Sequence, residues 1–273
     1  MELKTVIYKV DDEIATITLN RPHRMNAWTG RMHTEYRWVL ANANEDDNVR
    51  IIVITGAGRG FCVGADSKAL EGHVAKGGYD PGTPDPLAEP GFGVRPEFDA
   101  SFAYHFGLKK PVVAAINGPA AGVGLVLACY ADIRFAVPGV KFTTAHGKLN
   151  FPAEYGLSWL LPRLIGLARA NDLLLTSRVF TSDEAFAMGL VNRLVAPESL
   201  LEETYAYVRQ MKDTVSPASL RETKWQIYTD QHRDVGSSVA ASEDLLKEMS
   251  KHKDYEEGVR AFLGKRKPNW SGE

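Results

Sequence analysis

Two periods of apolar spacing alternate along this chain, and each period predicts a different kind of element. Residues 5–10 and 14–19 are β-rich runs separated by three acidic residues, which is typical of a β-hairpin. Apolar positions three and four apart over residues 28–45 predict an amphipathic helix. The apolar runs at 51–54 and 111–116 are short and continuous, so they predict buried strands. The first half of the chain is therefore expected to alternate strands with helices.

The alternation continues until the last quarter of the chain, where only the helical period is left. Apolar spacing and turn residues predict strands at 133–136, 140–143 and 190–195 and helices at 125–131, 158–166 and 168–175, with breaks at Pro162 and Gly166. Thr181, followed by acidic residues and an apolar-periodic stretch, predicts a helix start. The remaining predicted elements are helices at 200–211, 217–228, 239–249 and 255–263. We therefore predict an α/β core over residues 1–199 and a helical region over residues 200–273.

One stretch, residues 71–98, follows neither period. It is dense in Gly and Pro between residues 77 and 86, so that part cannot hold a long helix or strand. Irregular stretches of this length in compact domains are commonly lids, binding loops or disordered segments. We expect the stretch to shape a ligand pocket, with a plain surface loop as the alternative. A short helix is expected after it, within residues 99–108.

Composition and charge argue against several classes of function. The 273-residue chain has a formal net charge of −2 and no basic block, which argues against non-specific nucleic-acid binding. Cys62 and Cys129 lie in apolar surroundings and are expected to be reduced core residues. No His, Cys, Asp or Glu spacing resembles a metal site, and no dinucleotide fingerprint follows the first strand. The N-terminus lacks an apolar signal core and no run approaches about 18 apolar residues, so a cytoplasmic protein is expected.

Small residues collect at two predicted strand-to-helix turns. Residues 60–66 are Gly-Phe-Cys-Val-Gly-Ala-Asp, and residues 117–124 are Asn-Gly-Pro-Ala-Ala-Gly-Val-Gly. Small side chains let another molecule approach the backbone, and the first N–H groups of a helix lack intrahelical partners. One such turn is compatible with tight packing alone. Two turns can each aim one N–H at the same oxygen, which is how an oxyanion hole is built.

Taken together, these two turns resemble the crotonase (enoyl-CoA hydratase/isomerase) superfamily. The likeness extends over nearly the whole chain, from Leu-Asn-Arg-Pro at 19–22, through 185–191, to the segment 262–266. The resemblance implies an α/β fold, a spiral of repeated β-β-α units with a C-terminal helical region used in trimer assembly. It also implies an enzyme acting on acyl-CoA thioesters, with no cofactor apart from the coenzyme A of the substrate. The expected assembly is a homotrimer or a dimer of trimers.

The resemblance assigns the oxyanion hole and the acyl pocket to particular residues. The backbone N–H groups of Ala65 and Val123 match the two donors that hold the thioester carbonyl. The family often has Gly where this chain has Val123, which narrows the space beside the thioester without removing the N–H. Val126 and Trp159 match positions of the acyl pocket.

Coenzyme A is expected to lie against residues from both ends of the chain. The loop with Arg24 and Ala27 matches the segment that follows the CoA nucleotide, together with Ala65. Phe262 and Lys265 match a segment that contacts the nucleotide of a neighbouring subunit, where Lys265 can meet a phosphate as a point charge. The alternative is that Arg24 and the basic tail are solvated surface charges.

The acid–base groups depart from the hydratase pattern of the family. Its two glutamates match Val126 and His146 here, so both expected carboxylates are absent. Glu154 remains, at a position where dienoyl-CoA isomerases carry an acid, and its apolar and aromatic neighbours favour a raised pKa. His146 could hydrogen-bond or relay a proton. The structural alternatives are a solvent-facing charge for Glu154 and a core or supporting histidine for His146.

Four functions follow from these residues. The first is enoyl-CoA hydration with Glu154 as the single carboxylate, and the second is double-bond isomerisation by the same residue. The third is hydrolysis of a C–C bond by a His146/Glu154 pair. The fourth is non-catalytic acyl-CoA binding, since both hydratase glutamates are missing. The retention of Glu154 beside aromatic residues favours catalysis over binding alone.

Overall fold

The computed structural model describes residues 1–77 and 94–272, which contain nine strands and eleven helices. The strands are Val6–Asp11 (β1), Ile14–Leu19 (β2), Ile51–Gly56 (β3), Val112–Ile116 (β4), Ala120–Ala121 (β5), Ile133–Ala136 (β6), Lys141–Thr143 (β7), Phe180–Thr181 (β8) and Arg193–Leu194 (β9). The helices are Gly30–Glu45 (α1), Ser67–Lys76 (α2), Tyr104–Gly107 (α3), Val123–Tyr130 (α4), Leu157–Ile165 (α5), Leu167–Thr176 (α6), Ser182–Ala187 (α7), Leu200–Thr214 (α8), Pro217–Thr229 (α9), Val235–Met249 (α10) and Lys253–Leu263 (α11). No helix among them is long and apolar enough to span a membrane.

A six-stranded sheet in the order β1-β2-β3-β4-β6-β9 forms the centre of the fold. β1 and β2 form the predicted antiparallel hairpin, and the pairs from β2 to β9 are parallel. Side chains alternate across a strand, so Ile52 and Ile54 of β3 enter one apolar cluster while Ile51 and Val53 enter another. Burial on both faces explains why these strands are continuous apolar runs in the sequence.

A second, three-stranded sheet in the order β5-β7-β8 makes the fold a spiral. From β4 onward, the strands are divided between the two sheets. β4, β6 and β9 belong to the large sheet, and β5, β7 and β8 belong to the small one. Helix α4 follows β5, helices α5 and α6 follow β7, and α7 connects β8 to β9. This succession confirms the predicted spiral of β-β-α units.

Buried charges attach α9 to the core. Lys224 Nζ lies 2.8 Å from Asp132 Oδ2, and the hydroxyl of Tyr228 donates to Asp132 Oδ1 at 2.7 Å. Burial lowers the pKa of Lys224, and the carboxylate of Asp132 opposes that shift. Removing one partner of such a pair leaves the other charge buried and uncompensated. Helix α9 is therefore held against the start of β6.

The last two helices leave apolar side chains uncovered. No residue of α10 is buried. The exposed fractions of Val235, Leu246 and Phe262 are 81%, 69% and 83%. A groove of about 940 Å³ is lined by residues of α9, α10, α11 and the α8–α9 junction, Leu246 and Phe262 among them. Large exposed apolar patches mark interaction surfaces, which agrees with the expected use of this region in assembly.

The predicted boundary between residues 199 and 200 remains a prediction. Helix α8 begins at Leu200, as expected, and α8 to α11 are helical throughout. Leu200 and Val208 nevertheless share an apolar cluster with Ile51 and Val53 of β3. The first helix of the C-terminal region thus packs directly on the central sheet.

Three elements differ from the sequence prediction. Helix α5 continues through Pro162, because the carbonyl that loses its donor belongs to the exposed residue Ser158, where water can replace the N–H. The strand expected over 190–195 is reduced to Arg193–Leu194. Residues 71–76 are helical, since α2 contains no proline, whereas residues 78–93 of the expected irregular stretch lie outside the described residues.

Candidate active site

The two small-residue turns lie in direct contact. Cys62 and Ala120 form an isolated parallel bridge, in which the N–H of Ala121 donates to Cys62 O at 3.0 Å. Gly124, in the first turn of α4, lies against the same carbonyl, because a Cβ built on it would be 2.0 Å from Cys62 O. Only glycine fits this position. The contact brings the residues after Cys62 close to the N-terminus of α4.

The N–H groups of Ala65 and Val123 have no acceptor among residues 1–77 and 94–272. Trp28 pairs with the backbone on either side of Ala65, since Trp28 N–H donates to Gly64 O at 2.7 Å and Asp66 N–H donates to Trp28 O at 2.9 Å. Val123 is the first residue of α4, where helix geometry offers no intrahelical acceptor. Two free donors on adjacent turns are the arrangement that an oxyanion hole requires.

Glu154 lies beside the second turn. A Cβ built on Gly122 would be 3.7 Å from Glu154 Oε2, 3.9 Å from Gly64 Cα and 4.0 Å from Thr144 O. Gly122 has φ +47 and directly precedes Val123, so the carboxylate is adjacent to both small-residue turns. No hydrogen-bond or ion-pair partner occurs for this carboxylate within the described part of the chain, and burial raises its pKa. A partly buried carboxylate with a raised pKa is suited to proton transfer.

The backbone around Glu154 is strained. Tyr155 has φ +49 and Gly156 has φ +74, so two successive residues are left-handed. This conformation costs a residue other than glycine about 1–3 kcal/mol. The hydroxyl of Tyr130 donates to Tyr155 O at 2.7 Å, and the ring of Phe102 packs edge-on against the Tyr155 ring with centroids 4.9 Å apart. These two contacts stabilise the turn that carries the carboxylate.

The two positions of the absent glutamates are apolar or buried. Val126 lies in α4 with 1% of its surface exposed, and its N–H donates to Gly122 O. His146, with 6% exposed, begins a 3₁₀ turn directly after β7. Its Nδ1 is buried without a hydrogen-bond partner among the residues described, and no hydrogen bond joins its ring to Glu154. His146 is close to the site, because it lies two residues after Thr144. None of its described contacts shows a catalytic role.

Arg24, expected to be a CoA contact or a solvated surface charge, forms an ion pair with Asp66. Its Nε lies 3.6 Å from Asp66 Oδ2, and the same oxygen accepts a 2.9 Å bond from Arg21. The Arg24 side chain is still 42% exposed. Ala27, 7% exposed, is held by a hydrogen bond from Arg21 to its carbonyl. The expected CoA-binding loop is thus joined by ion pairs to Asp66, the residue after Ala65.

Three further residues expected in the site lie apart from these contacts. The ring of Trp159 stacks on His232, with centroids 5.4 Å apart, and Arg163 lies over it. Phe262 is exposed near the end of α11, and Lys265 follows with φ +51. Their assignments to an acyl pocket and to a neighbour's CoA stay predictions.

The two cysteine thiols near the site, Cys62 and Cys129, are unreactive. Cys62 and Cys129 are buried and free, as expected, and burial raises the pKa of each thiol to about 12. Thiols react as thiolates, so neither is a nucleophile at neutral pH.

The sequence indicates Tyr155 as an aromatic neighbour of Glu154, but it does not indicate the other aromatic residues that support the site. Trp28, Phe102 and Tyr155 form a chain of ring contacts from the first small-residue turn to the Glu154 turn, with centroids 5.8 Å and 4.9 Å apart. Tyr130 lies in the predicted helix over residues 125–131. No local signal marks Trp28, Phe102 or Tyr130, because they are distant from Glu154 in sequence and meet its turn only in the folded chain.

Comparison with known proteins agrees with this geometry. The family model described as enoyl-CoA hydratase/isomerase matches residues 9–273. The 1,2-epoxyphenylacetyl-CoA isomerase of Escherichia coli K12 is 32% identical over 270 residues, covering 99% of both chains. A probable enoyl-CoA hydratase, EchA12, of Mycobacterium tuberculosis is 42% identical over 204 residues, covering 73% of this chain and 68% of that protein.

Solved structures give the same result. The crystal structure of a probable enoyl-CoA hydratase/isomerase from Mycobacterium abscessus superposes with a TM-score of 0.85 at 28% identity, covering 98% of this chain and 99% of the other. The enoyl-CoA hydratase of Bacillus anthracis gives a TM-score of 0.85 at 27% identity, with coverage of 99% and 100%. The contacting turns and the two free N–H groups agree with these matches. This chain belongs to the enoyl-CoA hydratase/isomerase family of acyl-CoA enzymes.

Proposed function

We propose that this enzyme isomerises a double bond in an acyl-CoA thioester, with Glu154 as the single acid–base group. The observation that carries the proposal is the position of the Glu154 carboxylate, beside Gly122 and without a protein partner in the described residues. The N–H groups of Ala65 and Val123 are the proposed donors to the thioester oxygen. Polarising that carbonyl makes protons at C2 and C4 removable.

One carboxylate is sufficient for isomerisation. Glu154 in its ionised form removes a proton from one carbon of the acyl group, and the negative charge moves to the thioester oxygen between the two N–H groups. The protonated carboxyl then returns the proton to the other end of the conjugated system. Burial raises the pKa of Glu154, which brings its acid strength closer to the pH at which both steps must run.

Hydration is the second candidate, since a crotonyl-CoA hydratase of Syntrophomonas wolfei is 30% identical over 99% of both chains. Hydration also needs a group that holds and activates water, and Val126 and His146 occupy the positions of the family's two glutamates. For this reason we place isomerisation before hydration, although hydration is the first of the four functions given above. Hydrolysis of a C–C bond by a His146/Glu154 pair has no supporting contact, because no hydrogen bond joins the two side chains.

A mass-resolved assay in D₂O distinguishes these reactions. Purified enzyme is incubated with 2-enoyl-CoA and 3-enoyl-CoA esters, crotonyl-CoA included, and with a 3-oxoacyl-CoA ester, whose second carbonyl is needed for hydrolysis of a C–C bond. Isomerisation changes the absorbance of the conjugated thioester, and the mass of the product changes only by any deuterium incorporated. Hydration increases the mass by one water. C–C hydrolysis yields two fragments. Water addition as the main product on every enoyl ester would replace isomerisation by hydration, and no turnover on any ester would support a binding protein.

The variant Glu154→Gln tests the carboxylate itself. Turnover should fall by about two to four decades, the usual share of general acid–base catalysis, with little change in ligand affinity. Glu198→Gln is the matched control, since Glu198 is exposed and remote from the two turns in sequence. Near-normal turnover of Glu154→Gln on the true substrate would eliminate the assignment.

We further propose that coenzyme A lies along Arg24, Ala27 and Ala65, and that Phe262 and Lys265 reach the nucleotide bound to a neighbouring subunit. The half-exposed guanidinium of Arg24 and the exposed ring of Phe262 support this assignment. The uncovered apolar faces of α10 and α11 support a trimer or a dimer of trimers. Sedimentation analysis that found a stable monomer at micromolar concentration would contradict the assembly.

A further inference from the structure

Helix α4 has a group of the site at each of its two ends. Val123, its first residue, has the N–H proposed as the second oxyanion donor. Tyr130, its last residue, has the hydroxyl that donates to Tyr155 O in the Glu154 turn. An α-helix rises 1.5 Å per residue, so the eight residues set a fixed distance of about 10 Å between the two ends. One rigid element thus links the oxyanion hole to the carboxylate turn.

The Glu154 turn is a single 3₁₀ turn over Glu154–Gly156, in which the N–H of Leu157 donates to Glu154 O and the backbone of Tyr155 is not helical. Tyr155 and Gly156 are both left-handed, with φ +49 and φ +74. The hydroxyl of Tyr130 lies directly over the turn, because a Cβ built on Gly156 would be 2.9 Å from Tyr130 Oη. The Tyr130 hydroxyl therefore both donates a hydrogen bond to Tyr155 O and packs against Gly156, directly after Glu154.

The Tyr130 hydroxyl is a fixed donor. The residue is 3% exposed, and its ring packs against Phe106 with centroids 5.1 Å apart. Burial raises the pKa of the phenol to about 12, so the proton stays on the oxygen over the working range of pH. A carbonyl can only accept, so the direction of the bond to Tyr155 O is unambiguous.

We propose that Tyr130 is a positioning residue, which holds the carboxylate of Glu154 at the right place relative to the N–H of Val123. The proposal rests on the proposed function, in which Glu154 transfers the proton. Without the hydroxyl, the strained turn can relax and carry the carboxylate away from the acyl carbon. Ligand binding does not use this hydrogen bond, so the effect is on chemistry alone.

The test is Tyr130→Phe, compared with Tyr205→Phe. Tyr205 also has one hydroxyl contact, 2.9 Å to Thr16, on a helix outside the site, so it controls for loss of a hydroxyl. Tyr130→Phe should lower kcat by about tenfold to a hundredfold, since small misplacements of a reacting group cost this much. KM and the affinity for the CoA product should stay within about twofold, and rates of deuterium exchange into the substrate should fall with kcat. A kcat within twofold of Tyr205→Phe would overturn the proposal.

Gly156→Ala gives an independent second variant. The added methyl would displace the Tyr130 hydroxyl and would also strain a backbone position at φ +74, so kcat should fall by at least a similar factor. In the Tyr130→Phe background only the backbone strain remains, so the same substitution should lower kcat by a clearly smaller factor. Equal losses in the two backgrounds would contradict the coupling. The turnover of Glu154→Gln is measured in parallel. Normal turnover of Glu154→Gln would refute the proposed function. An inactive Glu154→Gln together with normal turnover of Tyr130→Phe would refute only the positioning role of Tyr130.

Discussion

The contact between Gly124 and Cys62 offers a direct way to open the oxyanion hole. In Gly124→Ala the new Cβ would lie 2.0 Å from Cys62 O and 2.8 Å from two further atoms of Cys62. Ordinary contact begins at 3.4 Å, so the two turns must separate by about 1.4 Å. The obstacle is a backbone carbonyl, which cannot rotate away as a flexible side chain could.

The expected cost has two parts. Forcing one methyl into a packed core destabilises a protein by about 1–3 kcal/mol. The same displacement moves the N–H of Val123 relative to that of Ala65, and losing one oxyanion donor lowers kcat by about 10²–10³-fold. Gly124→Ala should therefore remain folded in a stable parent and lose most of its turnover.

The assay combines urea unfolding with kcat at saturating substrate. Gly72→Ala is the matched control, because Gly72 lies in α2 with no atom within 4 Å of its added Cβ. That control for the unfolding measurement should be stabilised by about 0.5–1 kcal/mol, the advantage of Ala over Gly in a helix. A Gly124→Ala protein with kcat within threefold of the parent would refute the two-turn oxyanion hole.

Three other predictions follow from the fold and the site. Because burial raises the pKa of Glu154, kcat should fall as the pH drops through that raised pKa. In thermal unfolding at pH 7, Glu154→Gln should be more stable than the parent. This difference in stability should disappear at pH values below the ordinary pKa of a carboxyl group. Asp132→Ala should cost about 3–5 kcal/mol in urea unfolding, because Lys224 is then buried without its partner. Phe262→Ala combined with Lys265→Ala should weaken CoA binding by calorimetry and raise KM, with kcat nearly unchanged.

Each of these predictions has a clear contrary result. The sign for Glu154 follows from its raised pKa: the folded state binds the proton more tightly than the unfolded state, so ionisation at higher pH disfavours folding. A Gln variant less stable than the parent at pH 7 would contradict this. Asp132→Ala combined with Lys224→Met should recover most of the lost stability, and no recovery would show that the pair is not the cause. Equal CoA affinity for the tail variant and for Lys251→Ala, with the oligomer intact, would return the tail to a solvated surface.

The sequence was informative wherever one local pattern determines the structure. The hairpin, the buried parallel strands and the four C-terminal helices follow from apolar spacing and were predicted close to their observed bounds. The two small-residue turns were predicted because glycine at positions such as Gly124 has a local cause, a close approach of backbone. The partly buried environment of Glu154 also followed from its aromatic neighbours.

Features that depend on distant partners were beyond the sequence. Asp66 pairs with Arg24 across 42 positions, so nothing in the local loop showed that this cation is not free. The left-handed backbone of Tyr155 is imposed by Tyr130 and Phe102, and tyrosine has no preference for that conformation. Pro162 ordinarily indicates a helix break, and here the exposed position of the affected carbonyl overrides the rule.

The anchor between Asp132 and Lys224 has a consequence for how the protein is made. The two residues are 92 positions apart, and chains are synthesised at about 5–20 residues per second, so Asp132 emerges roughly 5–20 s before its cation. By the end of that interval all strands of the large sheet up to β9 exist as chain, while the carboxylate before β6 still has no cationic partner. A chain that stops between Leu194 and Lys224 therefore contains all nine described strands and still lacks the cation that pairs with the partly buried Asp132. Nonsense mutations and proteolysis between these two positions should consequently destabilise the β-sheet core, although the lesion itself lies outside the sheet.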